Sequence, residues 1–287
     1  MKSTLTMPRN VDGLTSSTLK HLRERWWNDS FTAFLRDTLQ PKAGKRILDV
    51  GCGTGTAEVN LSRLRLTQVD LVAVDLMTDR VATAHTKARA HNFRAQFATA
   101  DACYLPFADA SFDSTFCVAV LQHITDTALA VAEMARVTRP GGRVVGVEPD
   151  NGARYFYSSR PEGMEAHEAA GRLFATIEEA NGEAGDPAVG PRLPTLFAQA
   201  GIEPLSVDLF PVSRAQLGAP DAEVWEERRD AVRQAIESAP GESIRRLGQD
   251  YLKLIDRYAA AANSAGPGFV EIQNTMLFAT VGQRAEQ

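Results

Sequence analysis

The stretch ILDVGCGTG, from Ile47 to Gly55, joins a short apolar run to a turn in which every second residue is glycine. An apolar run beside a glycine turn is typical of a strand buried on both faces of a parallel sheet. Glycine has no Cβ atom, so it adopts positive φ and lets another group approach the backbone closely. Helical spacing resumes over residues 56–65. The stretch therefore predicts a strand, a ligand-binding turn and a helix in succession.

Strand-like and helix-like runs alternate through the first half of the chain. Strands are predicted at residues 46–50, 70–76, 95–100, 114–120 and 142–148. Helices are predicted at residues 56–65, 79–91 and 126–137. Asp79 and Asp126 are expected as N-caps of the last two helices. Strands that are apolar on both faces and alternate with helices indicate a parallel sheet covered on both sides.

The rest of the chain is expected to complete this sheet and to cover it. Helices are predicted at residues 14–40, about 163–181 and 194–200, with two more between 219 and 262. Two further strands are predicted at 202–212 and 268–282. The predicted fold class is α/β: a Rossmann-like, seven-stranded, mostly parallel sheet with helices on both faces, plus a helical cap. The predicted domains are an N-terminal helical lid (1–40), a ligand-binding core (41–150), and a substrate-binding cap with the last two strands (151–287).

The glycine spacing favours one class of nucleotide ligand over another. A dinucleotide fold uses GxGxxG, because its pyrophosphate lies at a helix N-terminus packed closely on the turn. Here the pattern is GxGxG, and Thr56 stands where the third glycine of the dinucleotide pattern would be. Asp75 ends the next predicted strand, and an acid at that position suits the two hydroxyls of a ribose. A nucleoside with a charged amino-acid end therefore fits better than a dinucleotide.

Four motifs occur in the order of a known family: ILDVGCGTG, VAVDLM, ATADACYLPFADASFD and RVTRPGGRVVGVEP. With these motifs, residues 45–150 resemble the class I S-adenosylmethionine-dependent methyltransferases, and in particular the bacterial small-molecule methyltransferases. The resemblance implies that the core, residues 41–150, binds S-adenosyl-L-methionine. It also implies an enzyme that transfers a methyl group to a small organic acceptor by in-line displacement.

The resemblance assigns a role to each motif residue. The glycines would line the methionine and ribose part of the cofactor, and Asp49 would orient the methionine ammonium. Asp75 would bind both ribose hydroxyls, and residues after it would pack on the adenine. Asp101 would accept a hydrogen bond from the adenine amino group. The full set of implied cofactor-binding residues is Asp49, Gly51, Cys52, Gly53, Gly55, Asp75, Leu76, Met77, Asp101, Ala102, Val118 and Gln122.

Methyl transfer from a sulfonium needs positioning, desolvation and sometimes a base, because the leaving group is already activated. His123 follows the fourth predicted strand and is a candidate base; the alternative is a structural histidine. Glu148 follows the fifth strand and is a second catalytic candidate; the alternative is a carboxylate that caps a turn. The three cysteines are far apart and lack CxxC spacing, so no metal site is expected.

Composition limits the partners. The net charge is −5, no basic stripe occurs, and no apolar run reaches membrane-span length. We therefore expect a cytoplasmic protein with no nucleic-acid or membrane partner, and a homodimer is left open. Oxygen is the first choice of acceptor atom, followed by nitrogen, carbon or sulfur. Two other functions stay open: a non-catalytic S-adenosylmethionine-binding module, and an NAD(P)-dependent oxidoreductase on the same sheet.

Overall fold

A computed structural model describes residues 26–62, 69–181, 185–186, 188–238 and 241–286. Seven strands lie within these residues: β1 (Arg46–Val50), β2 (Asp70–Asp75), β3 (Gln96–Thr99), β4 (Phe112–Val118), β5 (Thr138–Ser158), β6 (Ile202–Leu217) and β7 (Val270–Arg284). The helices of the described residues are α1 (Asp29–Leu39), α2 (Thr56–Ser62), α3 (Thr78–Ala90), α4 (Thr127–Val137), α5 (Pro161–Asn181), α6 (Leu193–Gln199), α7 (Ala222–Ser238) and α8 (Glu242–Ala265). Single 3-10 turns occur at Leu121–His123, Gly190–Arg192 and Gly266–Gly268.

All seven strands belong to one sheet, in the order β3-β2-β1-β4-β5-β7-β6. The pairs β1/β2, β2/β3, β1/β4 and β4/β5 are parallel. The chain adds β2 and β3 on one side of β1 and then crosses to place β4 on the other side. Strand order thus reverses between β1 and β4, and ligands of such sheets bind beyond the carboxyl ends of the strands at this point.

The chain divides into two compact units. The core unit comprises Trp26–Ala153, Gly185–Pro211 and Met276–Gln287. Its β1 and β2 bury almost every residue, as strands covered on both faces must. Helix α4 packs the fully buried Ala130, Val131 and Met134 into the apolar core of this unit. Each large apolar side chain buried in this way contributes about 1.5–3 kcal/mol.

Helix α1 packs on the core unit through aromatic rings. Phe31 is fully buried, and its ring centroid lies 5.2 Å from that of Phe210 in β6. Phe34 lies at the same 5.2 Å from Phe210, and Trp27 meets Phe31 edge-on at 5.0 Å. These contacts attach the helix to the sheet of its own unit. A lid role for this segment stays a prediction.

The second unit comprises Met1–Arg25, Arg154–Ala184 and Val212–Thr275, and its described part holds α5, α7 and α8. Its apolar core includes Trp225, Tyr258 and Phe269. A buried ion pair lies in the same unit: Arg228 donates to both carboxylate oxygens of Glu271, at 2.7 and 3.1 Å. Tyr258 donates to Glu271 Oε2 at 2.7 Å. Every charge of this cluster thus has a partner of opposite charge or a hydrogen bond.

The seven-stranded Rossmann-like fold predicted from the sequence is confirmed, and several boundaries differ. Asp126 is the N-cap of α4 and accepts from Leu129 N at 3.0 Å, as predicted. The N-cap prediction for Asp79 is wrong: α3 begins at Thr78 with Met77 as its N-cap, no side chain caps the helix, and Met77 N donates to the Asp75 carboxylate at 2.9 Å. Strand β5 runs on to Ser158, well beyond the predicted end at residue 148.

The predicted first helix also differs. The predicted helix is interrupted at Trp27 and Asn28; a new helix then covers Asp29–Leu39, and the Asn28 side chain caps it by accepting from Phe31 N at 2.9 Å. Residues 14–25 of that prediction, and 63–65 of the next helix, lie outside the described residues. Of the helices that the structure describes, none combines the length and the apolarity needed to cross a membrane.

Candidate functional site

The glycine turn after β1 is held to the end of β2. Gly51 N and Cys52 N both donate to Val74 O, at 2.7 and 2.9 Å. Gly55 N donates to Cys52 O at 3.0 Å and closes the turn before α2 begins at Thr56. These hydrogen bonds hold the glycine turn at the carboxyl edge of the sheet.

The three glycines of this turn have different reasons to be glycine. All three have positive φ: +82° at Gly51, +56° at Gly53 and +83° at Gly55. A Cβ atom on Gly51 would collide with the Val120 side chain, and one on Gly55 would lie 2.9 Å from Ala84 Cα in α3. A Cβ atom on Gly53 would meet nothing within 4 Å. Only Gly53 thus faces open space that a ligand could fill.

Asp75, the last residue of β2, is hydrogen-bonded to the backbone of this glycine turn. Its Oδ2 accepts from Gly53 N at 2.9 Å, and its Oδ1 accepts from Met77 N at 2.9 Å. The residue is 8% exposed. Each carboxylate oxygen has two lone pairs, so each retains one acceptor position after these two hydrogen bonds. Two adjacent acceptors of this kind suit a vicinal diol such as that of a ribose.

Two further carboxyl groups lie beneath the turn. Asp49 of β1 is 2% exposed and Glu58 of α2 is fully buried. The pKa of Asp49 is raised well above its ordinary value, first by burial, then by Glu58 and then by Asp75. Burial also raises the pKa of Glu58. Among the described residues, no group donates a hydrogen bond to Asp49 Oδ2 or to either oxygen of Glu58.

The small side chains of the turn are unreactive. Burial raises the pKa of the Cys52 thiol, and the neighbouring carboxyl groups raise it further. A thiol in these surroundings stays protonated and is a poor nucleophile. Cys52 therefore acts as a small residue that fits the turn.

The turn after β4 forms the second wall of the site. Ala119 has φ +57°, a left-handed conformation that is uncommon for a residue with a side chain. Its N–H donates to Val147 O at 2.8 Å. Val120 follows and covers Gly51. Gln122 is buried, and its Oε1 accepts from Asn151 Nδ2 at 2.8 Å.

Glu148 organises that turn from below. Its Oε1 accepts from Val120 N and Leu121 N, each at 2.8 Å, and its Oε2 accepts from Gln122 N at 3.3 Å. The side chain is fully buried, and burial raises its pKa to about 7 although the three N–H groups oppose the shift. These contacts fit a turn-capping carboxylate better than a catalytic one. A catalytic role for Glu148 stays a prediction.

The loop after β3 carries the proposed adenine contacts. Asp101 is exposed, and its Oδ1 accepts from Cys103 N at 2.8 Å, which forms a local turn. Ala102 packs against the apolar core of the unit. Arg136 of α4 fixes the following segment by donating to Leu105 O at 3.0 Å and to Phe107 O at 2.8 Å. The loop is therefore held in place independently of any ligand.

The apolar and catalytic candidates lie at the same edge. Leu76 is 65% exposed directly after Asp75, as expected for a side chain that packs on a flat ring. Val118 ends β4, and His123 is exposed in the 3-10 turn that follows. No cluster of His, Cys, Asp or Glu in the described ranges has the composition of a metal site.

These residues fit a cationic nucleoside ligand. Asp49, Glu58 and Asp75 surround the turn with acidic groups, which favours an ammonium or sulfonium group and opposes a pyrophosphate. Gly53 leaves open space, and Asp75 retains acceptor positions that would suit the hydroxyls of a ribose. Sequence reasoning missed Glu58, because its helical pattern alone did not show that this acid faces β1.

Comparisons with known proteins agree with this geometry. Residues 48–146 match a family model described as a methyltransferase domain. The chain is 37% identical over 117 residues to the O-methyltransferase cnsE of Penicillium expansum, which covers 41% of this chain and 42% of that protein. It is 36% identical over 135 residues to a demethylmenaquinone methyltransferase of Beutenbergia cavernae, covering 47% and 52% of the two chains. The matched part thus spans about half the length of these curated relatives or less.

Solved structures share the fold at low identity. A putative methyltransferase from Bacillus halodurans superimposes with a TM-score of 0.57 at 18% identity, covering 90% of this chain and 100% of that chain. The cyclase SpnF superimposes with a TM-score of 0.52 at 20% identity, covering 96% and 85% of the two chains. The family resemblance stated from the sequence is confirmed over residues 48–146. The fold itself accommodates more than one reaction.

Proposed function

We propose, from the premise that residues 48–146 are a class I S-adenosylmethionine-dependent methyltransferase domain, that this chain methylates a small organic acceptor. One observation carries the proposal: Asp75 is hydrogen-bonded to Gly53, a turn residue that faces open space, and each of its carboxylate oxygens keeps one acceptor position. That pair suits the ribose of S-adenosyl-L-methionine. Oxygen is the proposed acceptor atom, and the O-methyltransferase relatives support this choice.

In this proposal the chain's own residues bind and orient. When bound, the cofactor supplies an activated methyl group on a sulfonium. Asp75 holds the ribose, and Asp49 attracts the ammonium from beneath the turn. Leu76 and Met77 cover one face of the adenine, with Asp101 and Ala102 at its edge. Gly51, Cys52 and Gly55 shape the turn, while Val118 and Gln122 bound the methionine side.

Deprotonation of the acceptor requires a base, and we assign this role to His123. The imidazole is exposed at the carboxyl end of β4, on the same edge as Gly53. An imidazole is able to accept the proton of a hydroxyl as the methyl group transfers. A cytoplasmic location and a small-molecule partner belong to the same proposal.

The first test is ligand-dependent thermal stability. S-adenosylhomocysteine is expected to raise the melting temperature, because a ligand at one hundred times its Kd adds about 2.7 kcal/mol to the free energy of unfolding. NADH is expected to leave the melting temperature unchanged. Stabilisation by NADH instead would favour the oxidoreductase alternative.

The second test is product formation. Labelled S-adenosyl-L-methionine is incubated with panels of phenols, carboxylic acids, amines and thiols, and methylated product is identified by mass spectrometry. We expect product from an oxygen acceptor. S-adenosylhomocysteine binding without product from any panel would favour the non-catalytic module.

A further inference from the structure

We propose that Glu58 is a positioning residue that holds one proton together with Asp49 beneath the glycine turn, and that binding of the cofactor's cationic amino-acid end releases this proton. This inference rests on the proposed function. It adds a residue that the motifs do not contain, and it predicts that cofactor binding and pH are coupled.

The geometry places two acids together without a donor. Asp49 projects from β1 and Glu58 from α2, and they are 2% and 0% exposed. The two carboxyl groups are near enough to hydrogen-bond to each other. No N–H or O–H of the described residues donates to Asp49 Oδ2, Glu58 Oε1 or Glu58 Oε2. A hydrogen bond between two carboxyl groups requires a proton on one of them.

The surroundings favour retention of a single proton. The titratable groups that face Asp49 are Glu58 of α2, Asp75 of β2, and the thiols of Cys52 and Cys117. Both thiols are kept protonated by burial, and Asp75 adds negative charge. Two adjacent buried carboxylates repel each other and lose their hydration, so one of them binds a proton and the pair titrates as a unit.

A bound cation changes this balance. The α-ammonium of the cofactor brings a positive charge and three donors towards a pair that lacks donors. Both carboxylates are then stabilised, and the shared proton passes to the solvent. No covalent bond changes in this step. Each cofactor bound therefore releases up to one proton, and affinity rises with pH until the unligated pair is fully ionised.

Calorimetry measures this directly. Binding of S-adenosylhomocysteine is titrated at one pH in two buffers with different ionisation enthalpies, and the difference in heat gives the number of protons released. We expect about one proton for the unmodified chain and an affinity that rises about tenfold per pH unit below the pKa of the pair. In Glu58→Gln the amide donates to Asp49, so we expect no proton release and an affinity independent of pH. Asp79→Asn, at an exposed position in α3, is the matched control and should behave as the unmodified chain.

Infrared difference spectroscopy keeps the test independent of any variant. The unmodified chain should show a protonated carboxyl band that disappears when S-adenosylhomocysteine is added. Binding without proton release, or a Glu58→Gln variant that releases the proton as before, overturns the inference while leaving the proposed function intact. Absence of S-adenosylhomocysteine binding at every pH overturns the proposed function itself.

Discussion

Glu271 of the second unit and Asp49 of the core unit are both buried acids, but their surroundings shift their pKa values in opposite directions. Burial opposes ionisation of Glu271, but the charge of Arg228 and the hydrogen bonds from Arg228 and Tyr258 outweigh it and lower its pKa. Asp49 meets another acid instead, and its pKa rises. A fully paired buried charge indicates structure, whereas a buried charge without a partner indicates a place where a ligand supplies one.

The largest expected effect comes from removing the partner of the buried acid Glu271. Arg228→Leu leaves Glu271 buried without its counter-charge, so we expect a loss of about 3–5 kcal/mol in the free energy of unfolding, measured by urea denaturation. Arg233→Leu on the same helix is the control, because its ion pairs with Glu226 and Asp230 are exposed and screened by solvent, so we expect little loss of stability. Equal losses in both variants would contradict the structural role of the Arg228–Glu271 pair.

The second effect concerns the ligand edge. Asp75→Ala removes both ribose acceptors and releases Gly53 N and Met77 N, so we expect S-adenosylhomocysteine affinity to fall by about a hundredfold or more. Isothermal calorimetry measures the affinity, and thermal unfolding confirms that the variant folds. An unchanged Kd would remove the ribose assignment.

A third prediction concerns Glu148, a buried acid that accepts from three backbone N–H groups and from the Cys117 thiol. Its pKa in the folded chain is about 7 against an ordinary value of 4.5, so the folded state binds more protons between these values. Stability of the unligated chain should therefore fall as pH rises from about 4.5 to about 7, by up to about 1 kcal/mol per unit from this group. Glu148→Gln should flatten part of that fall in urea denaturation at pH 5 and pH 7. A slope identical to that of the unmodified chain would show that Glu148 is already ionised.

The smallest expected effect concerns the exposed His123. We expect His123→Ala to lower turnover about tenfold while S-adenosylhomocysteine affinity stays within about twofold, since the side chain would act on the acceptor and not on the cofactor. Normal turnover would return His123 to a structural role.

Most of the sheet was predictable, because β1 and β2 are buried on both faces and their sequences show it. The extent of β5 was not, because the strand runs from Thr138 to Ser158 and exceeds the predicted residues 142–148 at both ends. The start of α3 was also missed. Its N-cap is Met77, whose N–H donates to the carboxylate of Asp75 two residues earlier. Sequence patterns locate helices and strands well. They do not show which groups form hydrogen bonds with the backbone at the end of a helix or strand.

The sequence predicted where the glycine turn of the candidate site lies, but only partly why each of its residues is glycine. All three glycines were expected to admit a ligand, yet Gly51 and Gly55 accommodate Val120 and Ala84, which are distant in sequence. Glu58 was missed because nothing in a seven-residue helix shows that an acid at its third position faces another acid. Such contacts arise from tertiary packing and are visible only in the folded structure.

The left-handed turn at Ala119 has a consequence for how this protein can vary. It directs Val120 into the volume that a methyl group at position 51 would need, so the two positions constitute one steric unit contributed by separate strands. A larger residue at 51 becomes tolerable only with a smaller one at 120. Homologous chains should accordingly exchange these two positions in concert, and a single exchange at either should leave an overlap or a void.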